Sequence, residues 1–292
     1  MRLESGLDFC PIDTSQSELK SWRRCPLKWF FKHTWRLRPN HTSRALAIGS
    51  MVHDTLAEWS EPPNSVEIRT CELLLEIFKD VYREKVASDF TDPDFEVYKL
   101  VYKILIQYHK LYGPSWDFLL VEENFRVPIF LRGQLIGFVH GRFDGLIRDK
   151  NHKIWVVEHK TTKRFSFDHL AIDAQADLYA LAGSKLFGEA FGGLWYDFIR
   201  SKPSRKNPNF CRIKVRRSCS ALRAIEQWIA ATMINISRAQ PELLAPVFDR
   251  NCFWFCSYLN LCHSIRAGVP LKSAIEGDFR IRESVPEELY HG

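Results

Sequence analysis

Glu158 and Lys160 stand two residues apart in Val156-Val157-Glu158-His159-Lys160, and Asp144 lies upstream in Gly141-Arg142-Phe143-Asp144-Gly145. Strand side chains alternate faces, so Glu158 and Lys160 project to one side and His159 to the other. A three-residue hairpin loop over 150–152 sets Asp144 opposite Glu158, with Cβ atoms about 4.5–5.5 Å apart. Two carboxylates at that separation repel each other. A divalent cation between them relieves the repulsion, and hard oxygen donors are what Mg²⁺ or Mn²⁺ prefers. Lys160 beside such an ion can orient water or offset charge on a phosphate. A slip of one residue would turn Asp144 to the wrong face. Spacing alone leaves an exposed hairpin with cross-strand charges as the alternative. Against it, Ile154 to Val157 form a continuous apolar run, the pattern of a buried central strand, where an unpaired carboxylate is costly.

A second donor set is sulfur. Cys252 and Cys256, with Cys262 after five more residues, form a compact trio, and Cys25 is a fourth candidate far upstream. Four thiolates suit zinc or an iron-sulfur cluster, and sharing one would bring the two ends of the chain together. Cys10, Cys71, Cys211 and Cys219 read as small apolar residues.

These groups need a folded scaffold. The 292 residues are 46% hydrophobic and 26% charged, which excludes disorder and small disulfide scaffolds. No apolar run approaches the roughly 18 residues of a membrane helix. The opening MRLESGLDFCPIDTSQ has no signal-peptide core, so a cytoplasmic location with reduced thiols is expected. The net charge of +6 is unevenly spread: Lys20 to Arg44 carries eight basic residues and Phe198 to Ile225 nine, with no acidic residue in either window. Two basic segments on an otherwise acidic chain suit a polyanion, of which nucleic acid is the usual one; solvated Lys/Arg-rich faces are the alternative.

Apolar periodicity predicts helices over Ser17–Lys32, Leu46–Trp59, Ser65–Ser88 and Phe95–Tyr112. Strands are expected over Phe118–Leu131, Gln134–Ile147 and Lys153–Thr161, parted by turn residues at Arg132-Gly133 and at 149–152. A helix over Asp168–Leu186, strands at Gly193–Ile199 and Phe210–Val215, and a helix over Ser220–Ser237 follow. The expected organisation is a helical region over 1–115 contributing Cys25 and His53, a core over 116–237, and a cysteine-bearing segment over 238–292 packed on that core.

With Asp144, Glu158 and Lys160, the chain resembles the PD-(D/E)XK nuclease superfamily, in particular its RecB-like exonuclease branch with iron-sulfur clusters, which includes CRISPR-associated exonucleases. The resemblance implies an α/β fold, a restriction-endonuclease-like mixed central sheet flanked by helices, with a helical N-terminal region and a C-terminal cysteine cluster. Gly49-Ser50-Met51-Val52-His53 looks like the branch's histidine helix, Gly49 and His53 sharing one face with the bare glycine allowing close approach to the sheet. The resemblance implies that His53, Asp144, Glu158 and the backbone carbonyl of His159 hold Mg²⁺ or Mn²⁺, and that Lys160 assists the nucleophile. Gln175-Ala176-Asp177-Leu178-Tyr179 looks like the branch's glutamine and tyrosine motif, with Gln175 and Tyr179 touching nucleic acid. A first-strand carboxylate corresponds to Glu122 or Glu123. Cys25, Cys252, Cys256 and Cys262 are similar to the set that binds a [4Fe-4S] cluster, with zinc as the alternative. Arg23, Arg24 and Lys28, interleaved with Trp22, Trp29, Phe30 and Phe31, are expected to guide a single strand by charge and stacking.

The function so implied is a divalent-metal-dependent exonuclease acting on DNA ends, in repair, recombination, or phage or CRISPR DNA processing. The rival is a non-catalytic nuclease-like module that binds DNA and recruits a partner such as a helicase; such a module has no need of Asp144, Glu158 and Lys160 together. A built-in motor is disfavoured, since no G-x-x-x-x-G-K-[ST] loop occurs.

Overall fold

The computed structural model of the chain describes residues 10–40, 43–61, 69–88 and 95–282. The chain opens with β1 (Ile12–Ser15), α1 (Gln16–Arg24), α2 (Pro26–Trp29) and β2 (Leu37–Pro39), then α3 (Arg44–Ser60), α4 (Cys71–Ser88) and α5 (Phe95–Tyr112). There follow β3 (Phe118–Leu131), β4 (Gln134–Arg148), β5 (Ile154–Thr162), α6 (Ala174–Phe187), β6 (Phe191–Arg200), β7 (Phe210–Val215) and α7 (Cys219–Ser237). The last elements are α8 (Arg250–Phe255), α9 (Leu259–Ala267), α10 (Lys272–Asp278) and β8 (Phe279–Ile281). These elements form two compact units, Met1–Asp13 with Thr42–Trp228, and Thr14–His41 with Ile229–Gly292. The units group the chain differently from the three segments read in the sequence: α3 to α5 belong with the sheet, whereas α1 and α2 belong with the C-terminal helices.

The first unit is built on a mixed sheet of order β1-β4-β5-β6-β7, with β3 pairing along the other edge of β4. The β3–β4–β5 meander is antiparallel, and β6 runs parallel to β5 after the α6 crossover. Arg148 pairs with Ile154, and Asp149 N donates to Lys153 O at 2.9 Å, so the second hairpin loop is 150–152 as expected. Gly137, at φ +149, lies where any Cβ would overlap the backbone of Ile12. One buried cluster joins Met51 and Leu56 of α3, Leu74 and Phe78 of α4, and Ile104 and Leu105 of α5. A second gathers Phe118, Ile147, Trp155 and Val157 from the three meander strands. The single helix expected over Asp168–Leu186 is instead a 3₁₀ turn over Asp168–Ala171 followed by α6. Asp173 causes the break, because its carboxylate accepts from Gln175 N and Ala176 N and so caps α6. Residues 65–68 of the helix expected from Ser65 lie outside the described residues, and α4 begins at Cys71.

In the second unit, Ser15 opens α1 with a reciprocal cap: Glu18 N donates to Ser15 Oγ and Ser15 N to Glu18 Oε2. The single helix expected over Ser17–Lys32 breaks at Cys25, held extended at φ −167 and ψ 115 before Pro26. The proline ring disfavours helical backbone in the residue before it. A wider π turn over Phe30–Thr34 follows. The core is small: Leu27, Phe30, Phe31 and Leu37 meet Tyr258, Leu261 and Phe279, and β2 pairs antiparallel with β8. Among the described residues no helix is long and apolar enough to cross a membrane.

Candidate functional site

The β4–β5 ladder ends at Gly145 opposite Val157, one pair short of Asp144 and Glu158. Beyond it the two strands are joined through a side chain, as His159 N donates to Asp144 Oδ2 at 2.8 Å. Asp144 Oδ1 meets His53 Nε2 of α3 at 3.0 Å. On β3 the register pairs Val121 with Gly145 and Glu123 with Phe143, which leaves Glu122 across from Asp144. Glu122 sits at φ 52, left-handed backbone that costs a non-glycine residue about 1–3 kcal/mol. That turn sets Glu122 Oε1 3.5 Å from His53 Nε2, while Arg142 Nε holds Oε2 at 2.7 Å.

One ligand atom each from His53, Glu122 and Asp144 thus lie within 4.8 Å of one another. The donor set fits a hard divalent cation: one imidazole nitrogen and two carboxylates, one of whose oxygens, Glu122 Oε1, is buried without a hydrogen-bond partner. The electrostatics ask for positive charge there. Burial alone would lower the pKa of His53, yet hydrogen bonds to Asp144 and Asp54 push it up to about 11. Burial raises that of Glu122. Burial would likewise raise Asp144, but the hydrogen bond and charge of His53 hold it below the usual carboxylate range.

Glu158 and Lys160 project together, as alternation predicts, and α6 organises them. Gln175 Nε2 donates to Glu158 Oε1 at 2.8 Å, and Lys160 Nζ lies 3.3 Å from Gln175 Oε1 and 3.7 Å from Glu158 Oε1. Glu158 is 4% exposed and, among the described residues, lies outside the 4.8 Å group. Tyr179, expected to touch nucleic acid, is 2% exposed and donates to the Arg142 carbonyl at 2.6 Å. A phenol so enclosed braces the strand beside Asp144 and has no surface to offer a strand of nucleic acid. Gln175 is half-buried in the site. Gly49 does face β5, but an added Cβ would meet Thr161 at 3.9 Å, ordinary contact, so the approach does not require glycine.

His159 points the other way, into a polar network absent from the sequence reading. Its Nδ1 lies 3.1 Å from Asp197 Oδ2, and Asp197 is fully buried. Asp197 also accepts from Tyr108 OH at 2.5 Å and from Arg212 Nε at 3.3 Å. The Arg212 guanidinium sits 3.5 Å over the Trp116 ring and 3.7 Å over Tyr112. Burial would raise the Asp197 carboxyl, but hydrogen bonds from His159, Arg212 and Tyr108 hold it low.

In the second unit, Cys25, Cys252, Cys256 and Cys262 are free thiols lining one cavity, together with Arg24 and Lys28. Burial, then the neighbouring sulfurs, push the Cys262 thiol up to about 11. Lys28 is lowered by burial and by Arg24, while the sulfurs oppose that shift. Arg23 Nε donates to Thr232 Oγ1 at 3.3 Å. The structure therefore gathers the sulfur set and puts two of the expected strand-guiding cations against it. Phe30 and Phe31 are core, and Trp22 packs edge-on against Trp29 with centroids 5.0 Å apart.

Glu122 was not separable from Glu123 by sequence. The two-residue turn at Arg132-Gly133, extended without interruption, places Val121 across from Asp144; a register shift between Ile129 and Phe130 moves Glu122 there.

A search of curated proteins finds no match. Among solved structures the chain is similar to a protein named "Putative exonuclease" from Eubacterium rectale, at 15% identity, covering 95% of this chain and 92% of that one, with a TM-score of 0.50. It also matches the crystal structure of SSO0001, at 15% identity, over 86% of this chain and 85% of that one, with a TM-score of 0.39. At this identity the Eubacterium rectale structure speaks only for the fold. The model of the PD-(D/E)XK nuclease superfamily matches residues 13–263, spanning every element from β1 to α8 and the sites in both units. With its mixed sheet and its acidic strand residues, the chain belongs to the PD-(D/E)XK nuclease superfamily.

Proposed function

We propose that the protein is a divalent-metal-dependent exonuclease that hydrolyses phosphodiester bonds from DNA ends. The observation that carries this reading is the convergence of His53, Glu122 and Asp144 beside a strand bearing Glu158 and Lys160. His53, Asp144 and Glu158 would hold Mg²⁺ or Mn²⁺, with Glu122 as the first-strand carboxylate. The N–H and C=O of a strand residue point to the same edge, so the His159 amide bonded to Asp144 supports its carbonyl as a further donor. A cation bound there supplies Lewis acidity to a phosphoryl oxygen and lowers the pKa of water. Lys160 orients the attacking water and offsets negative charge on the phosphate. Gln175 holds Glu158 and Lys160 at fixed separation and is available to the substrate backbone.

In the second unit, Cys25, Cys252, Cys256 and Cys262 suit a [4Fe-4S] cluster, or zinc, because four thiols in one cavity repel one another once ionised and a bound cation removes that cost. Its role is structural, tying the two ends of the chain. Cytoplasmic DNA repair, recombination, or phage or CRISPR DNA processing, with a helicase as a separate polypeptide, is the setting this chemistry fits.

The test is incubation of anaerobically purified protein with end-labelled single- and double-stranded DNA in Mn²⁺, Mg²⁺ or chelator. Mononucleotide release from ends in either ion, none in chelator, and none from Glu158→Ala despite retained DNA binding are expected. Metal-independent cleavage, or binding without any cleavage, overturns the reading in favour of a recruiting module. Visible absorbance of the same sample reports the cluster; a colourless preparation with stoichiometric zinc reassigns it.

A further inference from the structure

Arg44, the last residue of the first basic window, opens α3 in the first unit, and Lys202 of the second window follows β6 beside the same cleft. A cleft of about 460 Å³ lies among the start of α3, the first half of α5 and the segments leaving β5 and β6. Among the described residues five cations line it, Arg44, Lys99, Lys103, Lys163 and Lys202, against one carboxylate, Glu96. Glu96 is paired with Lys99 at 3.0 Å, so the wall keeps a large positive excess.

Hydrogen bonds fix the cleft's position. Ser201 N donates to Thr162 O at 2.8 Å and Arg200 Nη1 to Lys163 O at 2.9 Å, which holds the segments bearing Lys163 and Lys202 together. Two elements connect the cleft to the carboxylate centre. On α3, Ala45, Gly49 and His53 form one stripe at i, i+4 and i+8; Ala45 lines the cleft, Gly49 faces Thr161 of β5, and His53 meets Asp144. At a rise of about 1.5 Å per residue, Ala45 and His53 are ~12 Å apart along the helix. Lys163, the first residue after β5, follows Lys160 by three residues, at most roughly 10 Å of chain. Helix and strand therefore both place the cleft within about 12 Å of the carboxylate centre along their own lengths.

The chemistry of the wall narrows its ligand. Among the described residues it offers no aromatic ring on which a base could stack and no amide to read a base edge. Four of the five cations are lysines, compact charges that bind phosphate without a demand on sequence. We infer that this cleft binds the sugar–phosphate backbone of the DNA strand a few nucleotides from the bond being cut. The inference rests on the nuclease reading of the carboxylate centre.

The experiment uses the full-length protein and a fluorescein-labelled 20-nucleotide single strand in EDTA, with anisotropy read over a salt series. The variants are Lys103→Ala/Lys163→Ala/Lys202→Ala and the charge-preserving triple arginine replacement, all three positions being exposed. The alanine variant is expected to raise Kd about tenfold near 0.1 M salt and to flatten the slope of log K against log salt by about 2, since each lost single-strand phosphate contact removes about 0.7. The arginine variant keeps both within twofold. Equal affinity and slope in wild type and alanine variant, with wild type cutting DNA in Mn²⁺, overturns the cleft and spares the nuclease. Wild type that binds the strand and never cuts it overturns the nuclease instead, and wild type that does not bind overturns both.

Discussion

The carboxylate centre and the cysteine cavity are made of opposite materials. In the first unit, oxygen and nitrogen donors stand on long strands and a long helix, and neighbours already hold each one: Arg142 on Glu122, the His159 amide on Asp144, Gln175 on Glu158. In the second, sulfur donors come from short helices and the residues that follow them, near both ends of the chain, beside one cluster of seven buried apolar side chains among the described residues. The first site is a product of the fold. The second, if it holds the proposed cation, would help to make its fold by tying segments distant in sequence. A hard ion should therefore be removable without unfolding its unit, whereas a soft one should not.

The largest effect expected is at the carboxylates. Asp144→Ala should lower Mn²⁺-dependent cleavage by about 10³-fold or more while the melting temperature holds within a few degrees, checked by end-labelled digestion and calorimetry. Loss of the fold would erase the contrast. Next, Arg212→Met should destabilise the first unit by about 3 kcal/mol, because it strips a cation from fully buried Asp197; Asp197→Asn in the same chain should recover part of the loss in denaturant titrations. Cys25→Ser should destabilise the second unit by about 2 kcal/mol and leave the hydrogen-exchange rates of β5 and β6 unchanged. EDTA should reproduce the first result, and a thiophilic chelator the third.

The smallest effect concerns pH. His33 of the second unit is half-buried, and burial together with Lys32 lowers its pKa to about 4. Its unfolded value is the higher one, so between pH 6.5 and 4 the unfolded chain takes up the proton and stability falls as pH falls. Discounted for solvent screening, the loss is about 1–2 kcal/mol over that window. His33→Gln should flatten the acid limb of a melting-temperature profile for the second unit alone.

Much of the first unit was legible in the sequence. Turn residues at 149–152 gave the β4–β5 register, and period-two alternation put Glu158 and Lys160 on one side with His159 on the other. Glu122 was not legible, since a bulge seven residues away shifts the pairing and positive φ breaks the alternation. The Asp197 network was hidden because it joins α5, β5, β6 and β7, contacts that no local pattern encodes. Cysteine spacing picked out the sulfur set, but the break at Cys25 depended on Pro26 more than on helix periodicity.

The bond from the His159 amide to Asp144 replaces a backbone rung with a carboxylate whose charge any captured ion must share. That single N–H is therefore a spectroscopic probe placed by the fold. In a nitrogen-15 correlation spectrum its resonance should move on titration with a diamagnetic dication such as Mg²⁺, while amides of residues 154–157, held by main-chain carbonyls, stay put. Occupancy could then be followed residue by residue without any substrate present.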